Sequence, residues 1–284
     1  MLQWGITMKL KIVMDSSGDL QEFSGVDFAS APLKIVSSER EFVDDKNLDV
    51  HEMVDFLKKN KGKVTTACPG VGEYLDCFGE ADVVYCITIT SSLSGSYNAA
   101  SIAADEWREQ HPDGKIHVFD SLSTGPEMVL AAEKIRDLSE QGYSFEETVA
   151  AVQSYLDNVK LLFALESLQN LVNNGRVSPA IAMIAGALGL RMIGKASEKG
   201  TLESLAKVRG AKKVAPGLLE QMQKLGYAGK RVQINHCENP DGAEALRKLI
   251  VETYPTAAVT VGTAGGLCSF YAERGGILVG FETK

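Results

Sequence analysis

ITITSSLSGSY, residues 87–97, is the stretch from which the fold class of this chain follows. It comes after DVVYCI, residues 82–87, whose β-branched and aromatic side chains predict a buried strand. YNAASIAA at residues 97–104 then predicts the start of a helix. Several hydroxyl groups therefore lie on a strand-to-helix turn, where unpaired backbone N–H groups and the helix dipole favour an anion. The alternative interpretation is that Ser94 and its neighbours only cap the helix.

Three other loops place hydroxyl side chains beside a predicted strand; they are DSSGDL at residues 15–20, TTACPG at residues 65–70 and DSLSTGP at residues 120–126. Strands alternate with helices throughout this half of the chain, which favours a largely parallel, doubly wound sheet. Because the carboxyl ends of parallel strands share one edge of the sheet, we expect a site where these loops meet.

Two residues in these loops raise the alternative of an enzyme. Asp15, at the end of the first strand, is interpreted either as a phosphoryl-transfer aspartate or as an acceptor of hydrogen bonds from loop N–H groups. Ser94 lies in Leu-Ser-Gly rather than in G-x-S-x-G, and no His is placed in the sequence to suggest a general base. A phosphotransferase or hydrolase that acts on a small anionic substrate through Asp15 or Ser94 is therefore the competing hypothesis.

The regular alternation of predicted strands and helices ends near residue 159, and this change predicts a domain boundary. We expect a Rossmann-like α/β domain over residues 1–158 and a second α/β domain over residues 159–284. The sequence leaves open whether a hairpin near residues 33–45 packs with the second domain.

The second half of the chain contains two distinctive segments. NNG at residues 173–175 predicts a tight turn that presents Arg176. Residues 180–190 consist of Ala, Gly, Ile, Met and Leu without a charge, which predicts a buried helix. Such a helix either packs closely against its neighbours or forms the wall of an apolar cavity.

Two glycine-containing segments resemble nucleotide loops but lack required residues. Gly70-x-Gly72 has no third Gly where the dinucleotide motif needs one. GLRMIGKA at residues 189–196 ends in Ala where a P-loop has the hydroxyl that holds Mg²⁺, and it follows an apolar segment instead of preceding a helix. Neither segment predicts a nucleotide site.

Composition narrows the classes of partner and location. A formal net charge of −8 disfavours nucleic acid as the main partner, and no apolar run is long enough to span a bilayer. The first residues lack the basic and apolar regions of a signal peptide, and the five cysteines form no C-x-x-C pair. We therefore expect a cytoplasmic protein without disulfides, metal or stable membrane insertion.

Six motifs follow one another along nearly the whole chain; they are DSSGDL (15–20), TACP with Gly72-Glu73 (66–73), LSGSY (93–97), DS (120–121), GRVS (175–178) and LE leading to KVR (202–209). In this order and spacing they resemble the DegV family, bacterial fatty-acid-binding proteins whose studied members are the acyl-carrying subunits of fatty acid kinase. The resemblance implies two α/β domains with a lipid-binding tunnel between them, and an acyl carboxylate held at the hydroxyl loops.

The same resemblance assigns expected roles to individual residues. Thr66, Ser94 and Gly95 are expected to bind the carboxylate of a fatty acid such as palmitate or stearate, with Arg176 near the head group. Arg209 matches a family arginine connected with the acyl phosphate or with the kinase partner.

A C-terminal segment departs from the family pattern. The family has an H-x-G-P-G-like segment that contributes a His to the head-group site, whereas the comparable GTAGG at residues 262–266 has neither His nor Pro. Thr263 is the expected head-group contact there. The implied tunnel also gives the uncharged segment a role as tunnel wall, with four candidate residues: Ile181, Ile184, Ala185 and Leu188.

The function expected from the sequence is that of a carrier. It buries the acyl tail of a long-chain fatty acid and presents the carboxylate to an ATP-dependent kinase subunit for acyl phosphate formation. The chain itself is expected to perform no catalysis, to need no cofactor besides the bound acid, and to bind no nucleic acid.

Overall fold

Four parallel strands form the first sheet, in a computed structural model that describes residues 8–178 and 189–283. The strands stand in the order β2 (Asp27–Ala31), β1 (Leu10–Asp15), β6 (Val83–Thr88) and β7 (Lys115–Asp120). All three pairings between them are parallel. The loops that follow β1, β6 and β7 therefore meet at one edge of the sheet, as predicted.

Helices cover both faces of this sheet. Alternate residues of a strand point to opposite faces, so that Met14 packs with α4 (Pro126–Glu140) and α5 (Phe145–Asn158). Val13 packs on the other side with α2 (Val71–Phe78) and α3 (Ser96–Gln110). The prediction of a doubly wound, parallel first sheet is confirmed.

Six strands form the second sheet, which is mostly antiparallel. Their order is β10 (Leu202–Arg209), β9 (Leu190–Ala196), β8 (Val159–Leu165), β13 (Ile277–Glu282), β11 (Val232–His236) and β12 (Val259–Thr263). Among them β11 and β12 run parallel. One face packs against α7 (Val214–Lys224) and α8 (Pro240–Thr253) through a buried apolar cluster.

A third, small sheet lies against the other face of the second sheet. It consists of β4 (Glu41–Val43), β3 (Lys34–Ser37) and β5 (Val64–Ala67), joined by α1 (Val50–Lys59). Ile35 and Phe42 share an apolar cluster with Phe163 of β8. Two short helices, α6 (Gln169–Asn173) and α9 (Gly266–Ala272), complete this layer.

Single residues set two strand boundaries. β2 ends at Ala31 and β3 begins at Lys34. Pro32 separates them, since proline has no N–H to donate to a ladder. Leu190, expected at the end of a helix, is the first residue of β9 and follows Gly189 at φ +73°.

The remainder of that expected helix lies outside the described residues. This includes all four tunnel-wall candidates: Ile181, Ile184, Ala185 and Leu188. Of the helices within residues 8–178 and 189–283, none is long and apolar enough to cross a membrane.

Buried carboxylates connect the first sheet and the hairpin to α9. Asp44 accepts hydrogen bonds from the backbone N–H groups of Gly266 at 2.7 Å and Leu267 at 2.9 Å. Asp19 accepts one from Gly265 N at 2.8 Å. These carboxylates satisfy donors at the start of α9 that have no partner within the helix, and so hold α9 in place.

Candidate functional site

A cavity of about 350 Å³ lies between the loops of the first sheet and the small and second sheets. Apolar side chains form most of its lining; they include Leu33, Ile89, Leu93, Leu122, Leu161, Phe163, Leu165, Leu171, Leu202, Leu267 and Leu278. Polar groups on the lining include Thr66, Ser94, Gly95, Arg176 and Tyr271. A mainly apolar lining with a few polar groups suits an amphipathic ligand.

The loop after β6 is held rigidly by a buried carboxylate. Asp15, 0% exposed, accepts hydrogen bonds from Ile89 N at 2.9 Å and from the hydroxyl of Ser96 at 2.6 Å. The hydroxyl of Tyr74 lies 2.6 Å from the same Ser96 oxygen. Because both ends of the loop are tied to one carboxylate, the hydroxyl of Ser94 between them has a defined position.

Ser94 keeps its proton available for a ligand. Its Oγ accepts a hydrogen bond from Ser96 N at 3.3 Å, and within the described residues it has no acceptor of its own. Likewise, the backbone N–H groups of Ser94 and Gly95 have no acceptor in the described part of the chain, and α3 begins directly after them. This is the cluster of donors that the sequence predicted at a helix start.

Thr66 faces the same cavity from the small sheet. It lies on β5, and its Oγ1 is 2.9 Å from the hydroxyl oxygen of Tyr271 on α9. Burial raises the pKa of Tyr271, so that its hydroxyl keeps its proton at neutral pH. The neighbouring Ala67 and Cys68 also line the cavity.

Arg176 brings a positive charge to the polar end of the cavity. Gly175 adopts φ +72°, and Arg176 N donates back to Leu171 O at 2.8 Å, which ends α6 in the predicted tight turn. The Nε atom of Arg176 donates to Leu93 O at 3.1 Å, so the guanidinium contacts the hydroxyl loop that follows β6.

Two of the expected site residues lie elsewhere. Thr263 is exposed at the end of the edge strand β12, and the cavity lining does not include it. Arg209 is exposed at the far end of β10, whose first residue, Leu202, lines the cavity. The two are seven positions apart along the strand, which corresponds to roughly 23 Å. The structure thus brings together Thr66, Ser94, Gly95 and Arg176.

The carboxylates in this region accept hydrogen bonds from the protein itself. Asp15 does not line the cavity, and its oxygens are occupied by hydroxyl and N–H donors. Burial raises the pKa of Asp19 to about 7, with the nearby Asp44 acting in the same direction. Within residues 8–178 and 189–283 no group of His, Cys, Asp and Glu is arranged to hold a metal ion.

Tyr271 is the polar cavity residue that reasoning from the sequence missed. It belongs to GLCSFYA, residues 266–272, which follows a glycine-rich stretch and shows no motif. Thr66 and Tyr271 are 205 positions apart in the chain. Their contact depends on the packing of α9 beside the small sheet, and no local pattern reports it.

Comparison with known proteins agrees with this architecture. A family model described as "Uncharacterised protein, DegV family COG1307" matches residues 9–284. A DegV domain-containing protein of Streptococcus pneumoniae is 43% identical over 279 residues, covering 97% of this chain and 99% of the relative.

Two solved structures are similar over nearly their whole length. A DegV family protein from Eubacterium eligens loaded with heptadecanoic acid has a TM-score of 0.95 at 43% identity, covering 97% of this chain and 100% of that one. The Streptococcus pneumoniae Fatty Acid Kinase (Fak) B3 protein loaded with linoleic acid also has a TM-score of 0.95 at 43% identity, covering 98% and 100%. Sequence and fold agree along the whole match, and this chain belongs to the DegV family.

Proposed function

We propose that this protein binds a long-chain fatty acid, with the acyl tail in the cavity and the carboxylate at Thr66, Ser94, Gly95 and Arg176. The observation that carries the proposal is the mainly apolar cavity whose lining also includes hydroxyl, N–H and guanidinium donors. The two fatty-acid-loaded relatives support it, since each shares 43% of its residues with this chain.

Burial of the acyl tail supplies the affinity. Each buried methylene contributes about 0.8 kcal/mol, so roughly twelve methylenes contribute on the order of 10 kcal/mol. Loss of translational freedom and ordering of the chain cost several kcal/mol of this, which still leaves tight binding. The volume of about 350 Å³ lies within the range of about 300–1,000 Å³ found for small-molecule sites.

The polar end sets the orientation of the acid. An ionised carboxylate only accepts hydrogen bonds, and burying it without donors costs many kcal/mol. The hydroxyls of Thr66 and Ser94 and the N–H group of Gly95 are donors, and Arg176 adds a positive charge. Because hydrogen bonds to a charged group are the stronger kind, this end selects the head group over the tail.

The protein acts as a carrier that presents its acid to an ATP-dependent kinase subunit in the cytoplasm. In this proposal Arg209 contacts the partner, because it is exposed and roughly 23 Å of strand separates it from the cavity. Lys212 and Lys213 are exposed close to it in the sequence. The carrier brings the lipid, and the partner brings the nucleotide and the phosphoryl chemistry.

Mass spectrometry tests the binding proposal directly. The protein is expressed in bacteria, weighed in its native state, and extracted under denaturing conditions. We expect one C14–C18 acid per chain, and loss of that mass from the Thr66→Val, Ser94→Ala double variant. Ser91→Ala, an exposed hydroxyl in the same loop, is the matched control and should retain the acid. Turnover of generic esters or phosphates by the lipid-free protein would instead favour the hydrolase or phosphotransferase hypothesis.

A phosphorylation assay tests the partner role of Arg209. With a DegV-type fatty acid kinase subunit and ATP, Arg209→Ala should retain bound acid and yet yield acyl phosphate at least about tenfold more slowly. Glu203→Ala, an exposed change at the other end of β10, should leave the rate unchanged. Equal rates for Arg209→Ala and the wild type would refute the assignment.

A further inference from the structure

The hydroxyl of Tyr271 has a specific relationship to the head-group site. We propose that Tyr271 is a positioning residue: it donates a hydrogen bond to Thr66 Oγ1 and thereby commits the proton of Thr66 to the carboxylate of the ligand. This inference rests on the proposed function and adds a selectivity for ionised acids over uncharged head groups.

The geometry of the pair is set by the two elements that carry the side chains, β5 and α9. Thr66 Oγ1 and the Tyr271 hydroxyl oxygen are 2.9 Å apart, and both residues line the cavity. The start of α9, which carries Tyr271, is held by Asp44 through Gly266 N and Leu267 N. Thr66 lies on the strand β5, paired with β3. The contact therefore joins α9 and β5, each of which is held in place by hydrogen bonds to a neighbouring element.

Counting protons fixes the direction of this hydrogen bond once an acid is bound. A hydroxyl has one proton to donate, and a carboxylate has none. If Thr66 donates to the carboxylate, the bond between Thr66 and Tyr271 must run from the tyrosine to the threonine. Burial raises the pKa of Tyr271, so the phenol keeps the proton that this direction requires. Within the described residues the Tyr271 hydroxyl has no other acceptor that competes for it.

Ser94 shows the same arrangement with a different donor. Its Oγ accepts from Ser96 N at 3.3 Å, which leaves the Ser94 proton for the ligand. In the proposed arrangement both hydroxyls accept a hydrogen bond from the protein, which leaves their own protons for the ligand. Hydrogen bonds in such a chain polarise one another, so Tyr271 also strengthens the bond that Thr66 makes.

Ligand selectivity follows from the same proton count. A fatty alcohol carries its own hydroxyl proton and can donate to Thr66 Oγ1, so it does not depend on the proton of Tyr271. A carboxylate has no such option and depends on the complete chain of donors. Removal of the phenol hydroxyl should therefore weaken acids selectively.

Tyr271→Phe is the variant that tests the proposal, because it removes one oxygen and keeps the aromatic ring in its apolar surroundings. The measurement is the dissociation constant of lipid-free protein for palmitate and for 1-hexadecanol at pH 8. We expect palmitate to bind about 5- to 10-fold more weakly and hexadecanol to change by less than about 2-fold. Tyr227→Phe removes a tyrosine hydroxyl that donates to Lys230 O in the second domain, away from the cavity lining, and serves as the control.

A double-mutant cycle separates this role from packing. In a Thr66→Val background, Tyr271→Phe should weaken palmitate binding by less than about 2-fold, since the partner hydroxyl is already gone. Unchanged palmitate binding by Tyr271→Phe would overturn the inference, and so would an equal loss for palmitate and hexadecanol. If these results appear while Thr66→Val and Ser94→Ala still weaken palmitate binding, the proposed function stands. Absence of palmitate binding by the wild type would overturn both.

Discussion

Two polar clusters at the edge of the first sheet contain similar residues and behave differently. In the acid cluster, Asp15, Asp19 and Asp44 accept hydrogen bonds from hydroxyl and N–H groups of the protein itself. The head-group cluster consists of Thr66, Ser94, Gly95 and Arg176. In it, the backbone N–H groups of Ser94 and Gly95 have no acceptor among the described residues. The comparison shows that residue type alone does not identify a binding site. A site exists where donors remain after the internal hydrogen bonds have been counted.

The acid cluster should therefore control stability. Asp44→Ala removes the acceptor of Gly266 N, Leu267 N and the Ser16 hydroxyl at once. Leaving these donors buried without partners should lower the free energy of unfolding by about 3–5 kcal/mol. Urea denaturation of the lipid-free protein measures this change. Asp45→Ala, at the next position, should cost less than about 1 kcal/mol, and equal costs for the two variants would contradict the comparison.

The head-group cluster should control binding and leave stability unchanged. Thr66→Val combined with Ser94→Ala removes two hydroxyl donors to a charged group, which should weaken palmitate binding by about 100-fold or more. The free energy of unfolding of the lipid-free protein should change by less than about 1 kcal/mol. Calorimetric titration and urea denaturation give the two quantities. A large loss of stability with unchanged affinity would reverse the roles assigned to the clusters.

The pH dependence of stability should report two carboxyl groups, Asp19 of the acid cluster and Glu127 on α4. Burial raises the pKa of Asp19 to about 7 and that of Glu127 to about 8. Because these values exceed those of the unfolded chain, the folded state holds more protons, and its stability falls as the pH rises through 7 and 8. Between pH 6 and 8.5 we expect a decrease of about 4 kcal/mol, of which Glu127 contributes the larger part. Asp19→Asn should remove about a third of it; a stability that rises over this range would refute the assignment.

Local sequence patterns were sufficient for the first sheet and its loops. β1, β6 and β7 are apolar runs that end in hydroxyl or acidic residues, so strand, loop and helix were each visible. The Ser-rich loop was found because its hydroxyls are adjacent in sequence. Arg176 was found because Gly175 marks the turn before it.

Elements without a regular pattern of apolar and polar residues could not be predicted from the sequence. β10 reads LESLAKVR, in which charged and apolar residues alternate imperfectly around an irregularity between Ser204 and Ala206. Thr263 was expected at the head-group site, but β12 ends at this residue and a helix begins at Gly266. Ala264, at 3% exposure, is buried there, while Thr263 is exposed.

Contacts between elements that are far apart in the sequence account for what remains. Tyr271 reaches the head-group cluster from α9, and Asp19 and Asp44 hold the start of that helix. The donors of those bonds are backbone N–H groups, which carry no sequence signature. Predicting this part of the site requires the packing of these elements.

A crystal structure of the protein loaded with palmitate tests the central claim most directly. The account predicts that the carboxylate oxygens lie within about 2.5–3.0 Å of the hydroxyl oxygens of Thr66 and Ser94. The tail should then follow Leu161, Phe163 and Leu165 on β8, which line the cavity. A carboxylate bound away from both hydroxyls, or an acid bound outside this cavity, would contradict the account.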